Sequence, residues 1–139
     1  MSVEIDIRYD GDLRCSAVHG PSRTNIITDA PTDNGGKGAA FSPTDLVAAA
    51  LGTCVTTIMG LVAKRHGWVL TGTTVHVAKD MVQTPIRRIG KLSVKITLPK
   101  GLHLSAKDRE ELENAGEFCP VKQSLHPDVQ TWVEFVYPE

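Results

Sequence analysis

The sequence predicts an α+β domain, with antiparallel strands packed around one long, central, apolar helix. Three observations carry that expectation. Both ends of the chain alternate apolar and polar residues, the period of half-buried strands. A capped, strongly apolar run fills the middle. A second capped helix, rich in charge, lies between two later strand patterns.

Val3, Ile5, Ile7 and Tyr9 alternate with Glu4, Asp6 and Arg8, so residues 3–9 read as a strand. Asp10, Gly11 and Asp12 make a turn, and 13–19 reads as the returning strand. Gly20, Pro21 and Ser22 punctuate it, and 24–28 has the composition of a third strand. Residues 31–40, with Gly35, Gly36 and Gly38, read as a flexible loop.

Ser42, Pro43 and Asp45 form a strong helix start. Ser42 suits the N-cap, Pro43 the first helical position, and Asp45 the closing arm of a capping box. Val47, Leu51, Cys54, Ile58 and Leu61 follow at steps of four and three, and are expected to share one face. Lys64, Arg65 and His66 complement the C-terminal end of the dipole, and Gly67 ends the helix. This helix is apolar on all sides, as if a second subunit were needed to cover it. Its apolar core, 46–63, is short for a bilayer span and holds Gly52, Gly60 and several threonines, so a core helix is expected rather than a membrane one.

Two strands are expected over 69–78 and 90–98, joined by a polar connection with Pro85, Arg87 and Arg88. Ser105 and Asp108 cap a helix running to about 117, with Leu112, Ala115 and Phe118 on its apolar face. Pro120 follows Cys119 where a new helical turn can begin. A last strand is expected over 129–137, with Val129, Thr131, Val133, Phe135 and Tyr137 on one side. No repeat or internal boundary is visible, so 1–139 reads as a single domain.

Composition narrows the function. A formal net charge of −1 and the lack of an aromatic-interleaved basic patch point away from nucleic acid and anionic membrane. The five histidines are scattered, with no ligand spacing, so no metal is expected. The loop around Lys37 lacks the spacing of a phosphate-binding loop. Three cysteines and no secretory leader suggest a reducing, cytoplasmic setting in which disulfides are transient.

That leaves the thiols. Cys54 sits deep in the apolar helix, and Cys119 opens Cys119-Pro120-Val121-Lys122 after a separate helix. The bland reading makes both of them inert core residues. Two thiols in such marked contexts also suit redox chemistry, with one sulfur attacking and the other condensing with the oxidised product. Cys15 falls on the opposite strand face from Arg14 and reads as a core residue.

Ser42-Pro43-Thr44-Asp45-Leu46 leading to Cys54, together with Phe118-Cys119-Pro120-Val121-Lys122-Gln123-Ser124-Leu125, resembles the osmotically inducible protein C and organic hydroperoxide resistance (OsmC/Ohr) family. The order of elements and Gly101-Leu102 before the second helix also match. The resemblance implies an OsmC-like, intertwined homodimer with sites at the subunit interface. It implies a thiol-dependent peroxidase that reduces organic hydroperoxides, in some members hydrogen peroxide, in oxidative or osmotic stress defence. Cys54 then matches the peroxidatic cysteine and Cys119 the resolving one. No cofactor is implied, only an external dithiol reductant. An arginine near the first hairpin, here Arg14 or else Arg23, and a carboxylate at the start of the central helix would assist.

The family's peroxidases carry Glu directly after the helix-start proline, whereas this chain has Thr44 there and its acid one residue later, as Asp45. That departure resembles a less characterised OsmC-like branch. Leu51, Val55 and Ile58 would give an apolar pocket that favours a greasy peroxide. The alternative is a protein of the same fold without peroxidase activity, holding a small apolar ligand at the dimer interface.

Overall fold

The computed structural model describes all 139 residues. The element order is β1 (Ile5–Gly11), β2 (Arg14–His19), β3 (Asn25–Asp29), a 3-10 turn (Thr32–Asn34), α1 (Pro43–His66), β4 (Thr74–Val82), β5 (Arg88–Thr97), α2 (Ala106–Glu117), α3 (Pro120–Ser124) and β6 (Gln130–Val136). This is the expected α+β class. The chain divides into two compact units, Met1–Val47 and Ala48–Glu139, with the division falling inside α1.

In the N-terminal unit, β1, β2 and β3 form an antiparallel meander. The register sets Ile7 opposite Ala17 and Tyr9 opposite Cys15, so Ile5, Ile7 and Tyr9 share one sheet face. All three are exposed. The segment expected to be a flexible loop is hydrogen-bonded within itself. Asn34 and Gly36 donate to the Pro31 carbonyl, and Gly38 donates to that of Ala30. Gly36 is required there, because a Cβ would lie 1.8 Å from the Ala30 oxygen. The helix start forms as expected. The Ser42 amide donates to Asp45 Oδ2 at 2.9 Å, and the Asp45 amide donates to Ser42 Oγ at 3.1 Å.

In the C-terminal unit, the sheet order is β4-β5-β6. The β4–β5 ladder is antiparallel, but β6 runs parallel to β5, which corrects the all-antiparallel expectation. The reason is the connection: α2 and α3 lie between β5 and β6, and a helical crossover is the usual route to a parallel neighbour. The strand expected over 69–78 begins later, at Thr74, because Leu70 to Thr73 forms a turn in which the Thr73 amide donates to the Leu70 carbonyl. Leu92, Val94 and Ile96 fill the buried face of β5 and pair with Thr131, Val133 and Phe135 of β6.

The buried face of α1 is Ala48, Leu51, Gly52, Val55, Met59 and Ala63. That corrects the expected face, which shares only Leu51 with it. Cys54 and Ile58 are half-buried and Leu61 is 51% exposed. At about 100° per residue the true face is rotated roughly a third of a turn from the Cys54–Ile58–Leu61 stripe. Size is the cause. Gly52 lets β4 lie directly on the helix, since a Cβ there would stand 2.7 Å from Val77 Cγ2. By length and composition alone α1 could cross a membrane, with a mean hydropathy of 2.1 over an 18-residue window. Here one side of it is the core of the C-terminal unit.

Candidate functional site

Two packing choices bring the thiols together. Cys54 lies about three turns into α1, next in the helix to the core residues Leu51 and Val55. Gly116, near the end of α2, lets that helix press against α1 at Val55 and Met59. Cys119 follows three residues later as the N-cap of α3, where its Sγ accepts the Lys122 amide at 3.3 Å. Pro120 occupies the first helical position, and the Gln123 amide donates to the Cys119 carbonyl. Lys122 is tied to Glu117 by an ion pair.

Cys119 is wholly buried, whereas Cys54 is half-buried. Cys54 is a near neighbour of the Cys119 thiol. Burial pushes the Cys119 thiol up, helped by the neighbouring Cys54 and opposed by the Lys122 and Val121 amides. Cys119 therefore holds its proton more firmly than an ordinary thiol, and Cys54 is the sulfur with access to solvent. The two neighbours lie 65 positions apart in the chain (119 − 54).

The other expected residues have different surroundings. Leu51 and Val55 have no exposed surface and belong to the core face of α1, while Ile58 lies one turn from Cys54 on the half-buried side. Asp45 closes the helix cap. By helical geometry, nine residues (54 − 45) place it about half a turn around α1 from Cys54 and roughly 13 Å along the axis. Arg14 heads β2 opposite Asp29, with its Nε 3.7 Å from Asp29 Oδ2.

Asp29 was not singled out from the sequence, and nothing in its local motif marks it. It is 1% exposed. Its Oδ2 accepts the Ala39 amide at 3.0 Å, and its Oδ1 has no partner. The Ala39 amide holds its carboxyl below the usual range against the opposing effect of burial, with help from Arg14 and from the Ala30 and Lys37 amides. No group of three or more His, Cys, Asp or Glu is placed to hold a metal ion. A cavity of about 410 Å³ opens beyond the end of α1, lined by Trp68, Val69, Lys100, Leu102 and His103 among others, and neither thiol of the pair lines it.

Comparison with known proteins gives a consistent picture. A family described as OsmC-like protein matches residues 35–134. The chain is similar to a candidate osmotic stress induced and detoxification response protein from Psychrobacter arcticus 273-4, with 43% identity, 94% of this chain and 93% of that one covered, and a TM-score of 0.88. It also superposes on an organic hydroperoxide resistance protein OsmC from Legionella pneumophila, at 16% identity, 98% and 97% coverage, and a TM-score of 0.76. The organic hydroperoxide resistance protein OhrB of Bacillus subtilis gives 18% identity, 97% and 98% coverage, and a TM-score of 0.68. At such identities the last two likenesses concern the fold. No curated protein sequence matches the chain.

Proposed function

This chain belongs to the OsmC-like protein family, and from that premise we propose that it is a thiol-dependent peroxidase that reduces organic hydroperoxides, with Cys54 attacking and Cys119 resolving. The observation that carries the reading is that the buried Cys119 has the half-buried Cys54 as a neighbour near enough to raise its thiol. The descriptions of the Psychrobacter, Legionella and Bacillus proteins, which name detoxification or hydroperoxide resistance, agree with it.

The steps balance. The Cys54 thiolate attacks one peroxide oxygen, the O–O bond breaks, and the alkoxide leaves as the alcohol after taking a proton. Cys54 is oxidised to sulfenic acid. The Cys119 sulfur then attacks the Cys54 sulfur. An S–S bond forms, the S–O bond breaks, and hydroxide leaves as water with the Cys119 proton. An external dithiol returns both thiols by exchange, in a reducing cytoplasm. The resolving sulfur is already beside the attacking one, so the sulfenic acid has little time to meet a second peroxide. Leu51, Val55 and Ile58 make the surroundings apolar, which favours an organic peroxide over hydrogen peroxide.

The proposal includes a homodimer. Ile5, Ile7 and Tyr9 stand exposed on one face of β1, and the Cys54–Ile58–Leu61 stripe of α1 is only partly covered. A second copy of the chain would bury both surfaces and close the site over Cys54.

Mass spectrometry of the reduced protein after one equivalent of cumene hydroperoxide tests the reading. The expected result is loss of two hydrogens and a Cys54–Cys119 peptide within seconds. An unchanged mass after minutes would overturn it. One observation favours a second reading in that event: Asp45 is occupied at the helix cap and Arg14 faces Asp29. An unreactive Cys54 would then mark a protein of this fold that binds a small apolar ligand at the dimer interface.

A further inference from the structure

We propose that the cavity beyond the end of α1 is a binding site for a small aromatic carboxylate. It is separate from the thiols, neither of which lines it. Cys54 stands twelve residues (66 − 54) before the end of α1, roughly 18 Å along the axis.

The walls of the cavity are held in place by specific contacts. Gly67, with φ +73°, follows the last helical residue, and the Trp68 amide donates to the Ala63 carbonyl at 2.9 Å. That is a Schellman end, and it fixes where Trp68 leaves the helix. The Trp68 ring then stacks on His66, with centroids 4.2 Å apart and planes 10° from parallel. His66 is held in turn by Glu111 of α2, Nε2 to Oε1 at 2.9 Å. The indole is therefore a flat wall set before any ligand arrives. Much of the remaining lining comes from the turn after β5. Gly101, with φ +81°, turns the chain between Lys100 and Leu102 in a conformation that glycine enters without steric cost.

The lining selects the ligand. The volume of about 410 Å³ falls within the ordinary range for small-molecule sites, about 300–1,000 Å³. Trp68, Val69, Leu102 and Leu104 offer apolar surface to a ring. The lining contains Lys100 and no Asp or Glu to compete for it, and His103 adds a ring N–H in either tautomer. Lys64 and Arg65, both exposed in the last turn of α1, offset the negative end of the helix dipole and keep the neighbourhood positive. A carboxylate thus meets a cation with no rival acid, while an aromatic body meets the indole. A sugar would find no Asp, Glu, Asn or Gln for its hydroxyls, and inorganic phosphate would leave the apolar walls unused.

The experiment is titration of the reduced, nitrogen-labelled protein with benzoate, followed by proton–nitrogen correlation NMR. The chain has two tryptophans, hence two indole N–H signals. Trp132 lies on β6, outside the cavity lining, and serves as the internal control. The expected result is saturable shifts of the Trp68 indole and of the Gly67, Gly101 and Leu102 amides, with a Kd of ~1 mM or tighter and the Trp132 indole unmoved. Benzamide, which has the same outline without the charge, should bind at least ~10-fold more weakly. Lys100→Met should weaken benzoate binding by ~5-fold or more, and Lys100→Arg by less than ~2-fold, because the second keeps the charge. Lys100 is exposed, so neither change threatens the fold. An unmoved Trp68 indole, equal binding of benzamide, or full affinity in Lys100→Met would overturn the proposal. A second copy of the chain seated over the cavity would give the first of these results. Peroxide reduction is read from disulfide formation and not from these signals, so the carboxylate site and the peroxidase fail separately.

Discussion

Gly116 on α2 lies directly against Val55 on α1: a Cβ at the glycine would stand 2.9 Å from Val55 Cγ1 and 3.1 Å from Met59 Cγ. Cys119 is three residues on, so the same approach that brings the helices together delivers one thiol to the other. Gly116→Ala is expected to lower the thermal midpoint. Overpacking costs ~1–3 kcal/mol, against a gain of about 1 kcal/mol at most from alanine's better helix propensity. It is also expected to slow formation of the Cys54–Cys119 disulfide, by pushing α2 and Cys119 away from α1. Thermal unfolding and the rate of peroxide-induced disulfide formation check both. A raised midpoint with an unchanged rate would show that Val55 and Met59 simply make room.

The two thiols should differ in reactivity. Cys119 is buried and its proton is held more firmly than usual, whereas Cys54 is half-buried. At pH 8, iodoacetamide is expected to modify Cys54 at least ~10-fold faster than Cys119, since alkylation follows thiolate content and access. Cys119→Ser should leave Cys54 to advance to sulfinic acid with excess hydroperoxide. Peptide mapping over a time course reads both results, and preferential labelling of Cys119 would reverse the assigned roles.

The caps and the strand alternation were legible in the sequence, because each is written in local chemistry. Ser42 and Asp45 announce a helix start by residue type and spacing alone. The buried face of α1 was not legible. Its core contacts include Gly52, Ala48 and Ala63, whose small size matters more than their hydrophobicity, and a helix apolar on all sides offers no single stripe to read. The direction of β6 had a signal that went unused, namely a helical crossover long enough for a parallel return. Asp29 had none. Its importance comes from burial beside Arg14 and the Ala39 amide, contacts that no local pattern encodes.

Asp29 gives a pH prediction with a definite sign. Its folded carboxyl lies below the ordinary value, held there first by the Ala39 amide and also by Arg14. The charged form is thus favoured by folding. Its stabilisation is fully present above the unfolded value of about 3.9 and is lost as pH falls through the lower folded value. Asp29→Asn removes that titration while keeping shape. The difference in urea midpoint between the two proteins should therefore be largest near neutral pH and shrink by pH 3. A difference independent of pH would mean that packing, and not charge, sets the importance of Asp29.

Asp45 separates helix capping from chemistry. Its carboxylate accepts the amide of Ser42, whose hydroxyl oxygen accepts the Asp45 amide in return, and Ser42 is buried. Losing either arm should cost ~1 kcal/mol, the usual worth of an N-cap. Ser42→Ala and Asp45→Ala combined should cost less than their sum, because the two arms brace one turn. The rate at which peroxide oxidises Cys54 should change by less than about 3-fold in Asp45→Ala, since α1 carries the two side chains on opposite sides, roughly 13 Å apart along its axis. Urea unfolding measures the first effect and stopped-flow thiol oxidation the second. Loss of stability with an intact rate would assign Asp45 to the helix start alone. A rate falling by 100-fold or more, equivalent to about 2.7 kcal/mol of barrier, would mean that Asp45 acts on a thiol outside its own helix, which only the Cys54 of a second copy can supply.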